Sequence, residues 1–337
     1  MLTQVRIVGS GLIGTSIALG LVQRGVRVEM VDSEESAQNL AQDLVGNGKV
    51  TSPELVIVAA PTSQLPMIID REFQLNPNST FMDVGSVKRE VELYVKTISG
   101  LSPRFVPTHP MAGRELGGAG AARADLFQGR SWILTPNADV ARESLGIVLE
   151  LISLLGATAI ELSADNHDKA VAKISHLPQI AASLVAKQLI GTPHEWMELA
   201  GQGLRDTTRI AGSDELLWKE ILHSNRSELR QLLINLHNDL EAMISSLDDP
   251  SRISSLMAEG RKGRALIPGK HGGVAREYSF VPIVIDDRPG QLGAIFNECA
   301  AINVNVEDLT IEHSPGQLSA LITLALTHAE AEKLSAH

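Results

Sequence analysis

A short glycine-rich segment constrains the fold of this chain more than any other feature. Residues 9–14 read GSGLIG, with glycines at the G-x-G-x-x-G spacing. The segment follows QVRIV at residues 4–8, a run typical of a β-strand, and precedes a helical pattern that starts at Leu12. In this context the first glycine allows a tight turn, the second lets the backbone approach a pyrophosphate, and the third lets the helix pack on the strand. The segment therefore predicts a dinucleotide-binding βαβ unit.

A carboxylate at the end of the second predicted strand bears on which dinucleotide is bound. Asp32 follows RVEMV at residues 27–31, 18 residues after the last glycine of the loop. There it can accept hydrogen bonds from the adenosine ribose, and its charge would repel a 2′-phosphate, so we expect NAD rather than NADP. The alternative is a plain glycine turn in which Asp32 only caps a helix at Ser33. The residues expected to hold the cofactor are Gly9, Gly11, Leu12, Ile13, Gly14, Asp32, Ala60 and Pro61.

The first 162 residues alternate short β-rich runs with helical stretches, as in an α/β domain with a mainly parallel sheet. LVIVA at residues 55–59 is almost continuously apolar, which is expected of a strand covered on both faces. Further strands are predicted at residues 80–83, 104–107, 131–135 and 157–161. We assign residues 1–162 to a Rossmann-type NAD-binding domain.

The pattern changes near residue 163. From there to about residue 247 no run is convincing as a strand, and apolar residues recur at helical spacing. Residues 163–250 are therefore predicted to form an all-helical domain for dimerisation and substrate binding. Helices this apolar in so short a region are expected to bury part of their surface against a second subunit.

Two further segments complete the predicted organisation. Residues 251–278 contain the basic stretch GRKGRALIPGKHGG, which we interpret as a solvated linker in preference to an anion-binding or interdomain segment. Residues 279–337 read as β-α-β-β-α, which suggests a small ferredoxin-like α+β unit. Since the pattern stops after its second helix, we expect either a partner at the sheet edge or an incomplete module.

Charge and composition exclude several classes of protein. The formal net charge is −11, whereas a nucleic-acid binder needs a basic surface, so no nucleic-acid partner is expected. The single cysteine, Cys299, excludes an intrachain disulfide and a multi-cysteine metal site. No apolar run reaches the ~18 residues of a membrane span, and the chain begins without a signal-peptide pattern. We therefore expect a cytoplasmic protein.

His109 is the strongest candidate for a catalytic side chain. It lies in THPMAGRELGG at residues 108–118, directly after a predicted strand, where such domains place their substrates. A histidine pKa can lie near neutrality, so this side chain can take a proton as a hydride leaves the same substrate carbon. A structural loop histidine is the alternative.

Two groups of polar side chains in the helical region are candidates for substrate binding. Arg209 can clamp a carboxylate, and Arg205 would share its helix face, although a surface salt bridge is the ordinary alternative for either. His167, Asp168 and His176 resemble a metal set, but no fourth ligand lies nearby in the sequence. We therefore favour substrate contact or helix capping and expect no metal.

Five segments, in this order and spacing, resemble the prephenate dehydrogenase family of tyrosine biosynthesis, which includes arogenate dehydrogenases. They are GSGLIGTSIA, DVGSVK, HPMAGRELGG, HDKAVAKISHLP and RDTTRIAGS, and they cover about residues 5–247. DDRPGQLGAIF, at residues 286–296, separately resembles the opening of an ACT domain, an amino-acid-sensing module. The implied fold class is α/β, with a Rossmann-type domain, an all-α domain and a small C-terminal ferredoxin-like ACT domain.

The resemblance also implies a reaction. The expected activity is the NAD-dependent oxidative decarboxylation of prephenate to 4-hydroxyphenylpyruvate. The alternative within the family is an arogenate dehydrogenase that gives tyrosine directly with NAD or NADP. The family further implies a homodimer, and the ACT-like segment suggests tyrosine as an effector.

The family implies roles for individual residues. His109 would hydrogen-bond the ring hydroxyl and accept its proton, with Ser86 beside it. Arg209 would bind a substrate carboxylate, supported by Asp206. The other implied residues are Glu115 in a polar network at the site entrance, His167 and Asp168 at the domain junction, and Trp218 near the site. Gln179 stands where many members have a histidine that faces the substrate, so the preference for prephenate or arogenate stays open.

Two functions of other kinds remain as alternatives. A 3-hydroxyacid-type dehydrogenase shares the architecture but would need a catalytic lysine in the helical domain. Lys169 and Lys173 are present there, without that family's motif context. A non-catalytic regulator would use the glycine loop for a nucleotide and the C-terminal module for an amino acid. The combination of Ser86, His109 and Arg209 argues against such a regulator.

Overall fold

The computed structural model describes residues 1–46, 48–113, 117–267, 278–313 and 318–337. The chain divides into two compact units. The first consists of Met1–Leu184 with Ile210–Asn235, and the second of Val185–Arg209 with Leu236–His337.

A five-stranded parallel sheet organises the first unit, with strand order β2-β1-β3-β4-β5. Its elements are β1 (Gln4–Val8), α1 (Leu12–Val22), β2 (Arg27–Val31), α2 (Glu35–Val45), β3 (Leu55–Val58), α3 (Leu65–Leu75), β4 (Thr80–Asp83), α4 (Arg89–Val95) and β5 (Phe105–Val106). All residues of β3 and β4 are buried, and apolar clusters cover both faces of the sheet. The predicted Rossmann-like domain with a parallel sheet is confirmed. The strand order reverses between β1 and β3, which is where such folds bind ligands.

A second, three-stranded sheet carries His109. It consists of β6 (Thr108–Pro110), β7 (Ser131–Leu134) and β8 (Thr158–Glu161), and α5 (Arg142–Leu154) precedes β8. The sequence predicts one strand over residues 104–107 followed by a loop, whereas the structure has two strands separated by Pro107. Proline has no N–H to continue a ladder. The carbonyl of Pro107 accepts from Thr135 N at 2.9 Å, and β6 then pairs antiparallel with β7, with His109 opposite Ile133.

The region after Ser163 is helical, as predicted, and contains no strand among its described residues up to 267. Its elements are α6 (Ala164–Val171), a π-helical turn (Ala172–His176), α7 (Leu177–Lys187), α8 (His194–Met197), α9 (Gln202–Thr208), a 3-10 turn (Arg209–Gly212), α10 (Glu215–Ser224), α11 (Arg226–Ser245) and α12 (Pro250–Ala265). Within the first unit, Arg89 of α4 pairs with Asp165 of α6 at 2.6 Å and with Glu228 of α11 at 2.8 Å. These pairs connect the end of the parallel sheet to the helices.

The segment expected to be a linker, residues 251–278, is helical in its first half. Asp249 caps α12 by accepting from Ser251 N and Arg252 N, and Pro250 occupies the first turn, where its missing N–H is not needed. The polar residues and the proline at the beginning of this segment, which are also typical of turns, therefore form the N-terminal cap and first turn of α12. The glycine-rich residues 268–277 lie outside the described residues.

The C-terminal module has the predicted order β-α-β-β-α. Its elements are β9 (Ser279–Asp286), α13 (Gln291–Ala301), β10 (Asp308–His313), β11 (Ser319–Leu326) and α14 (His328–Ala336). The three strands form an antiparallel sheet in the order β10-β11-β9. One face contributes Val281, Ile283 and Ile285 to an apolar cluster that includes Cys299, whereas Phe280 and Val284 on the other face are 67% and 73% exposed.

Among the described helices, none is both long enough and apolar enough to cross a membrane.

Candidate active site

The glycine loop adopts a conformation that larger residues cannot share. Gly9 has a φ of +115°, and a Cβ there would lie 2.1 Å from the carbonyl oxygen of Ala59. A Cβ on Gly14 would lie 2.1 Å from the carbonyl oxygen of Gly9, so α1 packs directly against the loop. These close approaches bring the start of α1 to the crevice between β1 and β3.

The loop and its surroundings fit a dinucleotide. Gly11 precedes α1 and supplies no side-chain cap to the first N–H groups of the helix, which suits a bound phosphate. Asp32 accepts from Ser10 N at 2.6 Å and from Glu34 N at 3.0 Å, so it also shapes the loop. The hydroxyl of Ser10 is buried without a hydrogen-bond partner among the described residues. The other predicted cofactor residues lie at the same crevice edge: Leu12 and Ile13 in the first turn of α1, and Ala60 and Pro61 after β3.

A buried charged cluster holds the residue that precedes His109. Lys88 Nζ donates to a carboxylate oxygen of Asp83 and, at 2.7 Å, to the carbonyl of Thr108. Thr108 in turn donates its hydroxyl to the Asp83 carbonyl at 2.6 Å and accepts from Trp132 Nε1 at 3.0 Å. Burial lowers the pKa of Lys88, and the facing Asp83 carboxylate opposes this shift. The cluster connects β4, β6 and β7, and thereby sets the path of the backbone at His109.

His109 contacts a second buried row of polar side chains. Its Nδ1 lies 2.9 Å from Nε2 of His167, and His167 Nδ1 lies 2.7 Å from Oδ1 of Asp168. Burial lowers the pKa of His109 well below its usual value, and the neighbouring His167, Lys88 and His176 act in the same direction. At neutral pH His109 is therefore an uncharged imidazole that can accept a proton.

Asp168 connects this row to the turn after β4. Its carboxylate accepts from Lys88 N at 2.8 Å and from Arg89 N at 2.9 Å. Burial acts to raise the pKa of Asp168, but the hydrogen bonds from His167 and these two N–H groups outweigh it, so the pKa is lowered. Ser86 lies in the same turn, between β4 and α4, and is half-buried.

His176, Asn225 and Trp218 form a further layer. Asn225 Nδ2 donates to the Asp168 carbonyl at 2.8 Å and lies 3.2 Å from His176 Nδ1. The Trp218 ring meets His176 edge-on at 6.0 Å. Burial lowers the pKa of His176 to about 4. His176 ends the π-helical turn, a local distortion that is frequent at functional sites.

The remaining residues that the sequence predicts for the site lie in different parts of the structure. His167 is only 1% exposed, and its ring nitrogens lie 2.9 Å from His109 Nδ1 and 2.7 Å from Asp168 Oδ1. Gln179 is buried and donates to the Ile210 carbonyl at 2.9 Å. Arg209 begins the 3-10 turn and belongs to the second compact unit. Glu115 lies outside the described residues.

Sequence reasoning included Lys88 and Thr108 only as members of the segments DVGSVK and THPMAGRELGG, gave them no role, and missed Asn225. The signal for Lys88 was its place in TFMDVGSVK, where an apolar strand leads directly into an aspartate and a lysine. No such pattern marks Asn225, which reaches Asp168 only through the packing of α10 on α6. In the described part of the chain, no group of three or more His, Cys, Asp or Glu side chains could hold a metal ion.

Comparison with known proteins finds relatives over most of the chain. The family described as prephenate dehydrogenase, nucleotide-binding domain, matches residues 12–161, and the prephenate dehydrogenase dimerization domain matches residues 163–258. The prephenate dehydrogenase of Lactococcus lactis subsp. cremoris is 30% identical over 351 residues, which cover 98% of this chain and 97% of that protein.

Two solved structures share the architecture. Prephenate dehydrogenase from A. aeolicus, in complex with hydroxyphenyl propionate and NAD+, is 25% identical with a TM-score of 0.69 and covers 78% of this chain and 98% of its own. Synechocystis arogenate dehydrogenase is 26% identical with a TM-score of 0.64 and covers 78% of this chain and 99% of its own.

Proposed function

The chain belongs to the prephenate dehydrogenase family, and we propose that it catalyses the NAD-dependent oxidative decarboxylation of prephenate to 4-hydroxyphenylpyruvate in tyrosine biosynthesis. The observation that carries this proposal is the state of His109. This side chain is an uncharged, half-buried imidazole that follows β5 in a nucleotide-binding fold. A base of this kind accelerates a reaction in which a hydroxyl loses its proton as the carbon that bears it loses a hydride.

The proposed chemistry assigns one task to each side chain. Prephenate is a cyclohexadiene with a hydroxyl at C4 and a carboxylate on the ring. NAD, which the glycine loop from Gly9 to Gly14 and Asp32 would hold, would supply the acceptor for the hydride from C4. His109 accepts the hydroxyl proton, while Ser86 orients that hydroxyl. Electrons of the bond to the ring carboxylate then move into the ring, CO₂ departs, and His109 returns the proton to the phenol oxygen.

Replacement of His109 tests this function. His109→Asn should lower kcat by ~10²–10⁴-fold, the usual contribution of a general base, and leave NAD affinity unchanged by calorimetric titration. His194→Asn is the matched control, because that side chain is 90% exposed on α8. Unchanged turnover in His109→Asn, or a wild-type protein that oxidises neither prephenate nor arogenate, would contradict the proposal.

Oxidation of arogenate is the second candidate. It is supported by Gln179, which gives a neutral amide where many family members carry a histidine, and by the likeness to Synechocystis arogenate dehydrogenase. Arogenate carries an amino acid where prephenate carries a keto acid. Steady-state kinetics on both substrates, each with NAD and NADP, would separate the two activities. With Asp32 at the end of β2, we expect the higher kcat/KM with NAD.

We propose a homodimer formed through the helical region, residues 163–250. Leu236, Leu240 and Ile244 recur at four-residue spacing on α11 and are 36%, 58% and 62% exposed. They lie within the match to the dimerization domain. Such a stripe suits burial against a second copy of the chain. Light scattering should give the mass of a dimer for the wild type and of a monomer for Leu240→Glu, and a monomeric wild type would refute the proposal.

We propose that residues 279–337 form an ACT-type regulatory domain. In this proposal residues 1–162 are the NAD-binding domain, and a connecting segment within residues 251–278 precedes the regulatory domain. The order β-α-β-β-α and the turn before α13, whose Gly290 has a φ of +93°, support this proposal. Tyrosine would bind this module and inhibit. A chain shortened to end before Ser279 should then keep its basal turnover and lose inhibition by tyrosine, and equal inhibition of both chains would contradict this role.

A further inference from the structure

The hydrogen-bonded row behind His109 specifies where its ring carries a proton. Asp168 at one end is buried, its pKa is lowered, and an ionised carboxylate can only accept. His167 Nδ1, at 2.7 Å, must therefore be the donor in that contact. In a neutral His167 ring the other nitrogen, Nε2, then carries the lone pair.

The same logic continues to His109. His167 Nε2 lies 2.9 Å from His109 Nδ1, and one of the two nitrogens must donate. Since His167 Nε2 is the acceptor, His109 Nδ1 carries the hydrogen. A neutral His109 then has its lone pair on Nε2.

We propose that Asp168 and His167 are positioning residues that hold His109 in the tautomer with its hydrogen on Nδ1, so that Nε2 is the atom that takes the substrate proton. This inference rests on the proposed function in that His109 is the base. It adds which nitrogen reacts and which buried groups decide this.

The row also stabilises the product of proton transfer. When the substrate proton binds His109 Nε2, the ring becomes an imidazolium whose Nδ1–H still donates to His167. The negative charge of Asp168 then lies two hydrogen bonds away and opposes the repulsion from Lys88. An Asp–His pair does comparable work in serine hydrolases, where loss of the carboxylate gives the wrong tautomer.

The Asp168 carboxylate is held in a fixed orientation that suits it to position His167. Its two oxygens accept from the backbone N–H groups of Lys88 and Arg89, so its orientation is fixed from the turn that carries Ser86. The charged and titratable groups around the row are Lys88, which pairs with Asp83; His176, which contacts Asn225; and Arg89, which pairs with Asp165 and Glu228. None of them offers His167 Nδ1 another acceptor among the described contacts.

Nuclear magnetic resonance of the free enzyme tests the tautomer without any substrate. Long-range ¹H–¹⁵N spectra assign each ring nitrogen of His109 as protonated or unprotonated, and His109→Asn identifies its signals. We expect Nδ1–H in the wild type and a mixture of tautomers in Asp168→Asn. A wild-type His109 with its hydrogen on Nε2 overturns the proposal, whatever the enzyme is found to oxidise.

Kinetics provide the second readout. Asp168→Asn should lower kcat on the order of 10²- to 10⁴-fold with little change in KM, because an amide can donate to His167 and favour the wrong tautomer. The acid limb of the kcat/KM profile should also move to lower pH, because the charge that favours imidazolium is lost. Asp168→Glu should recover part of the rate. The matched control is Asp165→Asn, an exposed carboxylate on the same helix, which should keep the wild-type profile.

The outcomes are distinguishable. If Asp168→Asn loses rate with an unmoved acid limb and an unchanged His109 tautomer, Asp168 is merely structural and the proposal fails. If Asp168→Asn does not fold, the tautomer of the wild-type His109 still decides. If wild-type His109 has the expected tautomer while His109→Asn keeps full turnover, the tautomer assignment stands, but His109 is not the base and Nε2 does not take the substrate proton.

Discussion

The region around His109 and the C-terminal module bury opposite kinds of side chain. Around His109 the interior contains Lys88, Asp83, His167 and Asp168, each no more than 1% exposed. In the described part of residues 279–337 the buried residues are all apolar: Cys299, Val304, Ala320, Ile322, Leu324, Ala325, Leu326 and Ala331. Pairs of ionisable side chains in the module, such as His337 with Glu298, lie on its surface.

This difference determines how exactly the buried side chains must be placed and how well each region tolerates substitution. A buried charge without a partner is strongly destabilising, so every group around His109 must keep its geometry for the cluster to exist. Apolar contacts are non-directional and tolerate moderate changes of shape. We therefore expect substitutions around His109 to have large effects on stability and activity, and comparable substitutions on the module surface to have small ones.

Loss of the buried lysine should have the largest effect on stability. Lys88→Met removes the partner of the Asp83 carboxylate and the donor to the Thr108 carbonyl, and breaking such a buried pair lowers the free energy of unfolding by about 3–5 kcal/mol. Lys333→Met, on the exposed surface of α14, should change it by less than ~0.5 kcal/mol. Urea denaturation of both variants measures the contrast. Equal stabilities would show that the two regions do not differ in this way.

A pair of glycine substitutions sharpens the comparison at a smaller scale. Gly14→Ala places a methyl group 2.1 Å from the Gly9 carbonyl oxygen, and such overpacking lowers the free energy of unfolding by about 1–3 kcal/mol. Gly293→Ala, in α13, meets no atom within 4 Å among the described residues and should raise that free energy by about 0.5–1 kcal/mol.

Thermal and urea denaturation should therefore give shifts of opposite sign for the two glycines. Gly14→Ala should also weaken NAD binding in a calorimetric titration, since it displaces the loop that precedes α1. Gly293→Ala is the control for that measurement. A stabilised Gly14→Ala protein would mean that the glycine loop moves aside at little cost.

The same contrast explains what could be predicted from the sequence. The parallel sheet, the glycine loop, the helical region and the order β-α-β-β-α all follow from hydrophobic periodicity and turn residues, which act locally. The break between two strands at Pro107 and the start of α12 after Asp249 are harder to predict. The deciding contacts are the hydrogen bond from Thr135 N to the Pro107 carbonyl and the helix cap by Asp249. Local composition alone is ambiguous at such points.

The residues of the candidate site are easier to predict from the sequence than the contacts between them. His109, His167 and Asp168 stood out as chemically versatile side chains, but their alignment depends on β6 meeting α6, which are 50 and more residues apart in the chain. The sequence favours substrate contact or helix capping for His167. In the fold its ring nitrogens lie next to His109 and Asp168, and that arrangement is a property of tertiary packing.

Acidification should reveal the buried histidines through a loss of stability. His176 has a pKa of about 4 when folded, whereas an unfolded histidine titrates near 6.5. Below pH 6.5 the unfolded chain therefore binds more protons, so stability falls progressively between pH 6.5 and about 4. His109 contributes in the same direction because its pKa is also lowered. Asp168, whose pKa lies below its usual value, stabilises the fold throughout this range.

Substitution separates the two regions in this pH range. His176→Gln should reduce the fall in the free energy of unfolding between pH 7 and pH 5, measured by urea denaturation, because one of the groups that must charge on unfolding is gone. His328→Gln, on the exposed surface of the C-terminal module, should leave the slope unchanged. Equal slopes in His176→Gln and the wild type would mean that His176 is already solvated in the native state, and the buried polar row would then extend no further than Asp168.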